Sequence, residues 1–307
     1  LSSHSENIKN NRRSGKKGTK IMFESKTESK TIKSTLPDTQ NKKDTREIPI
    51  NKVGVRNLKY PIAVKDREND IQHTIATISM TVDLPKHFKG THMSRFVEIL
   101  ESKEREIHVN SMFSILEEMQ KKLNAMSAHL EMEFPYFKTK RAPVTKKKSL
   151  LDYMVKFHGV TFTDKKDFII TVKVPITTLC PCSKSISVYG AHNQRGEVTV
   201  SVRFENNVWI EDIISIVEDS ASSELFALLK REDEKFVTEK AYENPVFVED
   251  LVRNVVMRLK KNKNIKWFTV EAENFESIHN HNAYAMIESD REFNNGNEKN
   301  FIIKRYH

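Results

Sequence analysis

Apolar and polar residues alternate along several tracts of the chain, and each alternation predicts a half-buried strand. From Gln72 to Leu84, the residues Ala76, Ile78, Met80, Val82 and Leu84 take one face and Thr77, Ser79, Thr81 and Asp83 the other. From Asp167 to Thr178 the same pattern runs through Phe168, Ile170, Val172, Val174 and Ile176, and it resumes over 197–205 through Val198, Val200, Val202 and Phe204. Shorter matches predict strands at Tyr60–Lys65, Ala128–Phe134 and Leu151–Phe157, and over 265–275 and 282–289. Elsewhere the period lengthens to that of a helix. Met93, Phe96, Val97 and Leu100 predict one helix after a turn at Gly90, and Met112, Ile115, Leu116, Met119 and Leu123 predict a second over Ser111–Met126. Ile210, Ile213, Ile214, Val217, Ala221 and Leu228 predict a third over 210–230, and Val248, Leu251, Val252, Val255 and Leu259 a fourth over 245–261.

The order β-β-α-α-β-β therefore occurs twice, in a first module over 48–163 and a second over 164–290. Hairpin-connected strands around paired helices predict an α+β fold, with antiparallel sheets and helices on one face. Sheet edges and faces left uncovered within the chain would call for partners. Residues 1–47 are rich in Ser, Lys, Asn and Thr and have no apolar period, which predicts a disordered basic tail. Met22 is expected to start the natural chain, with residues 1–21 upstream of it, and 291–307 form a C-terminal tail. Residues 138–149, with Lys146-Lys147-Lys148, are expected as a solvated basic linker.

Charge changes the picture less than it first promises. The net charge is +9, but residues 1–47 hold 12 Lys/Arg and 6 Asp/Glu, so the other 260 residues hold 39 and 36. A nearly balanced body does not favour nucleic acid as a partner, although a small basic excess suits a polyphosphate. No apolar run reaches the length of a membrane span, and no membrane association is expected. Two cysteines offer no disulfide framework, and free thiols suit a reducing cytoplasm.

Both cysteines lie in one loop between two predicted strands, Pro175-Ile-Thr-Thr-Leu-Cys180-Pro-Cys182-Ser-Lys184-Ser-Ile-Ser-Val-Tyr-Gly190-Ala-His192-Asn-Gln-Arg195. Cysteines and a lone histidine are often plain structural residues. A Cys-Pro-Cys pair alone cannot build a four-thiolate site, but one thiolate, an imidazole and a carboxylate make three ligands and leave an open position, the composition of a catalytic metal site. A second cluster, Glu276-Ser-Ile-His279-Asn-His281, could by itself be another metal pair or an acid/base group.

The loop resembles that of GTP cyclohydrolase type IB, a family of the tunnelling-fold superfamily. The resemblance continues through Leu228-Leu-Lys-Arg-Glu-Asp-Glu234-Lys, through Val237-Thr-Glu-Lys-Ala-Tyr-Glu-Asn-Pro245-Val-Phe-Val-Glu249-Asp-Leu, and through Asn274-Phe-Glu276-Ser-Ile-His279-Asn-His281, and spans roughly residues 48–290. It implies two tunnelling-fold modules in one chain, a homotetramer with active sites between subunits, and hydrolysis of GTP to 7,8-dihydroneopterin triphosphate and formate, the first step of tetrahydrofolate-type pterin synthesis. It implies one divalent metal per site, Zn²⁺, Mn²⁺ or Fe²⁺, on Cys180, His192 and Glu234, with Asp233 a rival for the last place. Glu276 and His279 are implied as acid/base groups beside the reacting imidazole ring, and Cys182 as a group facing substrate. Glu249 is implied as the carboxylate that accepts from guanine N1–H and the 2-amino group. Lys89, His92 and Arg95 at a helix start, and Lys184 and Arg195 with Lys230 and Arg231, are candidate triphosphate contacts. His281 is left between a structural and a supporting role. One departure is Glu232, where the family run is expected to have proline. Alternatives are a cyclohydrolase with a cyclic phosphate product, a nitrile reductase of the same fold using a cysteine nucleophile and NADPH, and, in another class, a metal-stabilised nucleic-acid-binding protein.

Overall fold

The computed structural model describes residues 39–40, 42–103 and 106–289, so most of the expected N-terminal tail and all of 291–307 lie outside the described residues. The chain opens with β1 (Ile50–Asp66), β2 (Asp70–Leu84), α1 (Met93–Glu101), β3 (Glu106–Ile107), α2 (Val109–Leu123), β4 (Ser127–Arg141) and β5 (Lys148–Phe162). It continues with β6 (Lys165–Leu179), α3 (Pro181–Ile186), β7 (Asn193–Phe204), α4 (Ile210–Glu218), β8 (Ser223–Glu224), α5 (Arg231–Glu243), α6 (Val248–Leu259), β9 (Ile265–Asn274) and β10 (Ala283–Glu288).

All the strands join one sheet in the order β10-β9-β7-β6-β5-β4-β2-β1-β3, with β8 pairing on β6. Every pairing is antiparallel except the short contact of β1 with β3. The two halves meet at the β5–β6 hairpin, in the register Phe157↔Ile170. The alternation read from the sequence is the burial pattern. Ile78, Met80, Val82, Val172, Val174, Ile176, Val198 and Val200 are buried, while Thr77, Ser79 and Thr81 on the opposite face are only half-buried. The helices supply the matching apolar stripes, Met112, Ile115, Leu116 and Met119 from α2, Ile213, Ile214 and Val217 from α4, and Leu251, Val255 and Leu259 from α6. Full burial of such a side chain contributes about 1.5–3 kcal/mol, so this layer dominates the stability of the sheet.

The elements differ from the expectation where periodicity is interrupted. Around Tyr60–Lys65, β1 is far longer than predicted, because register shifts between Ile50 and Val53 and between Val55 and Leu58 break its alternation. Asn57 sits at φ 60 beside the second shift, as a bulge permits. Half of the 138–149 linker is strand, with 142–147 between β4 and β5. One of its lysines is not solvated: Lys140 is buried, with Nζ 2.8 Å from Glu218 Oε1 and 3.2 Å from Glu224 Oε2. The helix predicted over 210–230 ends at Glu218, where Ser220, Ser222 and Ser223 turn inward and Ser222 Oγ accepts from Leu179 N at 3.0 Å. Glu211 and Glu218 face the sheet, accepting from the hydroxyls of Tyr136 at 2.8 Å and Tyr153 at 2.7 Å, and so tie α4 of the second half to β4 and β5 of the first.

Two helices were not foreseen. α5 has no apolar stripe, since only Asp233 and Ala241 are buried, and its mark is an acidic first turn with Lys240 in the last. The short α3 starts at Pro181, whose fixed φ suits a first helical position. Before β1, residues expected as tail pair with the loop ahead of α1, where Lys89 N donates to Lys42 O and Asp44 N to His87 O, both at 3.1 Å. Backbone bonds of this kind leave no hydrophobic pattern to read.

Candidate active site

The end of β6 and the start of β7 fix the first part of the site. Leu179 pairs with Asn193, so the residues next outward, Cys180 and His192, stand opposite each other, and Cys180 N donates to His192 O at 3.1 Å. The loop between them is closed by Ser183. Its N–H donates to Cys180 Sγ at 3.4 Å, its Oγ donates to Cys180 O at 3.1 Å, and it accepts from His192 N at 3.2 Å. Gly190 turns this loop at φ 136, a conformation that favours glycine. Sequence spacing alone separates Cys180 from His192; the hairpin brings them together.

Gln194 fixes the imidazole. It is buried on the apolar face of β7, paired across the sheet with Thr178. Its Nε2 donates to Thr178 Oγ1 at 3.0 Å and to Glu276 Oε1 at 3.3 Å, so its Oε1 is the atom 2.9 Å from His192 Nδ1. An amide oxygen only accepts, which places the proton of His192 on Nδ1 and leaves Nε2 with its lone pair free to bind. Glu276 Oε2 lies 3.9 Å from the same Nδ1, and both side chains are about nine-tenths buried, at 13% and 12% exposure.

Two further segments close the cavity. β9 ends at Asn274, and the turn beyond it carries Glu276, His279 and His281, with the two imidazoles stacked at 5.0 Å. Phe275 N donates to Arg195 O at 2.9 Å, which holds this turn against β7. Val246 N donates to Leu179 O at 3.1 Å and brings the start of α6, with Glu249 in its first turn, to the end of β6. Together these segments enclose about 270 Å³, with Cys180, His192, Glu249, Glu276, His279 and His281 on the wall beside the apolar Val246 and Val248. Polar, titratable groups converging on a partly apolar hollow are what a small-molecule site requires.

Other expected residues lie elsewhere in the chain. Glu234 is on the exposed side of α5 and is not part of the cavity wall. Its rival Asp233 is fully buried and engaged, accepting from Val144 N at 2.8 Å, from Thr145 N at 2.9 Å, from Thr145 Oγ1 at 2.6 Å and from Lys230 N at 3.0 Å. Burial pushes its carboxyl up, but these hydrogen bonds outweigh that effect and hold it well below the usual carboxylate range. Asp233 therefore pins the start of α5 to the β4–β5 turn and has no lone pair to spare for a metal. Cys182 is exposed and outside the cavity wall. Lys184 Nζ donates to Tyr242 O and lies 4.4 Å from the centre of the Tyr242 ring, so it clasps α3 to α5. Arg195 is exposed, between the buried Gln194 and Gly196 and so on the sheet face away from the cavity. Lys89, His92 and Arg95 lie around the start of α1 in the first half, where Arg95 Nη1 donates to Lys122 O at 3.2 Å.

The donor chemistry of Cys180 and His192 suits a divalent metal, with one thiol and one imidazole nitrogen free to bind. Among the described residues, no three of His, Cys, Asp and Glu stand close enough to hold an ion together. Gln194 and Asn274 escaped the sequence reading; the available signal was a polar side chain at a position where the strand alternation calls for an apolar one.

A two-layer α+β fold, one sheet with helices on one face, that turns thiol, imidazole and carboxylate groups into one hollow at the sheet end defines an enzyme. The chain belongs to the type I GTP cyclohydrolase FolE2 family, whose model matches residues 36–285. A GTP cyclohydrolase FolE2 of Geobacter sp. (strain M21) is 58% identical over 260 residues, covering 85% of this chain and 97% of that protein. The GTP cyclohydrolase FolE2 of Syntrophus aciditrophicus is 58% identical over 253 residues, covering 82% of this chain and 99% of its own length. Among solved structures, the uricase of Arthrobacter globiformis aligns over 78% of this chain and 92% of its own at 6% identity and a TM-score of 0.43, too distant a likeness to bear on function or assembly.

Proposed function

We propose that the chain hydrolyses GTP to 7,8-dihydroneopterin triphosphate and formate, the first step of folate-type pterin synthesis, and that it does so as the type IB form that its loop resembles. The observation that carries this reading is the meeting of Cys180, His192, Glu249, Glu276 and His279 in one cavity from four separate segments. The reaction must add water at C8 of guanine and protonate the imidazole nitrogens as the ring opens, which calls for activated water and an acid/base group within reach of N7.

Cys180 and His192 would hold one divalent metal, Zn²⁺, Mn²⁺ or Fe²⁺, with Glu234 as the third ligand after a movement of α5 or from a second copy. Such a metal supplies water activated near neutral pH. The residues of the chain do the rest. Gln194 keeps the His192 proton on Nδ1 and orients Glu276. Glu276 and His279 move protons at the guanine imidazole edge. Glu249 accepts from N1–H and the 2-amino group and so selects guanine. Cys182, Lys89, His92, Arg95, Lys184 and Arg195 are left for substrate contacts in an assembled enzyme. Assembly is supported by Ile186, Val188 and Tyr189, which are 83%, 88% and 100% exposed on the loop between Cys180 and His192, where apolar side chains favour cover by a second copy. A homotetramer with sites between subunits fits that exposure, and a thiolate ligand fits a cytoplasmic location.

The test is to strip the protein of metal, add back Zn²⁺, Mn²⁺ or Fe²⁺ in turn, and measure formate and, after oxidation, pterin fluorescence. Both products with a metal requirement are expected. Formate with a cyclic phosphate product would favour the other cyclohydrolase branch, and no turnover with any metal would contradict the proposal.

A further inference from the structure

Asn274 is the last residue of β9, on the buried face that also carries Phe268, Val270 and Ala272. It is 3% exposed, it lines the cavity, and its Oδ1 has no hydrogen-bond partner among the described residues. Buried polar atoms are nearly always paired, so one left unpaired at a cavity wall calls for a ligand that completes it. The sheet register gives this amide no cross-strand side chain to pair with, because its neighbours are Gly196 on β7 and Ala283 on β10. A Cβ on Gly196 would stand 2.7 Å from Asn274 Oδ1. Glycine there leaves the amide its place. Gln194, on the same wall, contrasts with it, since both ends of its amide are engaged.

We propose that Asn274 Oδ1 accepts a hydrogen bond from the imidazole edge of guanine once water has added to it, and so positions the hydrated intermediate rather than GTP itself. The assignment rests on the GTP reaction proposed above. In GTP this edge carries only acceptors, N7 and O6. The donors of the base, N1–H and the 2-amino group, lie on the far side, where Glu249 takes them. Addition of water across C8=N7 forms a C8–O bond and leaves a hydroxyl on C8, while the electron pair of the double bond takes a proton at N7. The edge then carries two donors, N7–H and C8–OH, and it lies beside Glu276, whose backbone N–H donates to Asn274 O at 3.1 Å. An acceptor that pairs only after this step stabilises the intermediate over the substrate, and so raises turnover rather than binding.

8-Oxo-GTP is the probe, because it carries N7–H and an oxygen on C8 in a stable ring. Its binding is measured by calorimetry on the full chain, and GTP turnover is measured separately on the metal-loaded enzyme. Asn274→Ala is expected to weaken 8-oxo-GTP binding about tenfold or more and to lower kcat about tenfold or more, with KM for GTP within about threefold. Asn274→Asp, which keeps an acceptor, is expected to retain 8-oxo-GTP binding within about threefold of the unaltered chain. Equal losses for GTP and 8-oxo-GTP, or no loss for either, would overturn the proposal. Should the alanine variant not fold, a loss of more than about tenfold in the aspartate variant would overturn it alone, since the amide would then be acting as a donor. Absence of GTP turnover in the unaltered chain contradicts the proposed reaction and leaves the 8-oxo-GTP comparison standing.

Discussion

His192 is committed through Nδ1 to Gln194 and through its carbonyl to Cys180 N, so the ring has one orientation and one free nitrogen. Partners of this kind commonly set metal affinity, and replacing Gln194 by leucine is expected to weaken metal binding by about 10–100-fold while the fold is retained. Competition with a chromophoric chelator measures this; an unchanged affinity would show that Gln194 only fills space. At this scale the sequence was most legible where residue type and chemistry coincide. Cys180, His192 and the Glu276–His279 cluster stand out by their donors and acids, Glu249 and the acid/base roles follow from the family resemblance, and all five residues line one cavity. Gln194 and Asn274 were not legible, because amides carry no titratable chemistry and their importance lies in what they touch. Glu234 and Asp233 are adjacent in the chain, and only the packing of α5 distinguishes the exposed acid from the one that is fully engaged.

Long apolar alternations marked β2, β6, β7 and the buried faces of α2, α4 and α6, and these elements formed near their expected places, except that α4 ends at Glu218 and not near 230. β1, α3 and α5 were hidden or shortened in the sequence because bulges, a proline start and a charged helix leave no apolar period. The junction of α5 with the β4–β5 turn depends on Asp233. Its folded pKa is depressed, so the stability it contributes is present above the unfolded carboxylate value of about 4 and is lost as the pH falls below that value towards the folded one. Asp233→Ala is therefore expected to lower Tm at neutral pH and to flatten the dependence of Tm on pH in acid, as followed by circular dichroism melts; an unchanged Tm at neutral pH would mean that the junction adds nothing. At the other junction, Gly196→Ala brings its Cβ to 2.9 Å from Glu273 O, a backbone atom that cannot swing aside. A cost of about 1–3 kcal/mol in denaturant unfolding is expected from overpacking of this kind, and a cost near zero would mean that β7 and β9 separate freely at their ends.

In the whole molecule, helices cover one face of the sheet and the other face carries a polar layer that includes His129, Glu131, Lys156 and His158. Burial pushes the His129 imidazole down to about 4, with Lys52 adding to the shift and Glu131 and Asp83 opposing it. Burial also pushes His158 down, against the pull of Glu131, with Lys156, His129 and Lys52 adding to the shift. An unfolded imidazole titrates near 6.5, so between about pH 6.5 and 4 the unfolded chain binds more protons than the folded one and stability falls with falling pH. Replacing His129 and His158 together by glutamine is expected to reduce that slope in urea titrations across the interval; an unaltered slope would assign it to other groups. Among the described residues the edges of β10 and of most of β1 are open, and with the exposed Ile186, Val188 and Tyr189 they fit assembly of copies, which light scattering would show as a mass near four times the 35.7 kDa chain. A monomer at working concentration would remove the interface from the proposed active site.

The central claim is that the cavity holding His192 and Glu276 opens the guanine ring of GTP at C8. The most direct measurement is carbon-13 NMR of the metal-loaded protein with GTP labelled at C8, for the unaltered chain and for Glu276→Gln. The unaltered chain should convert the label into formate, and the variant should bind GTP and release none or very little. Labelled formate from Glu276→Gln at an undiminished rate would place the chemistry elsewhere and contradict the account.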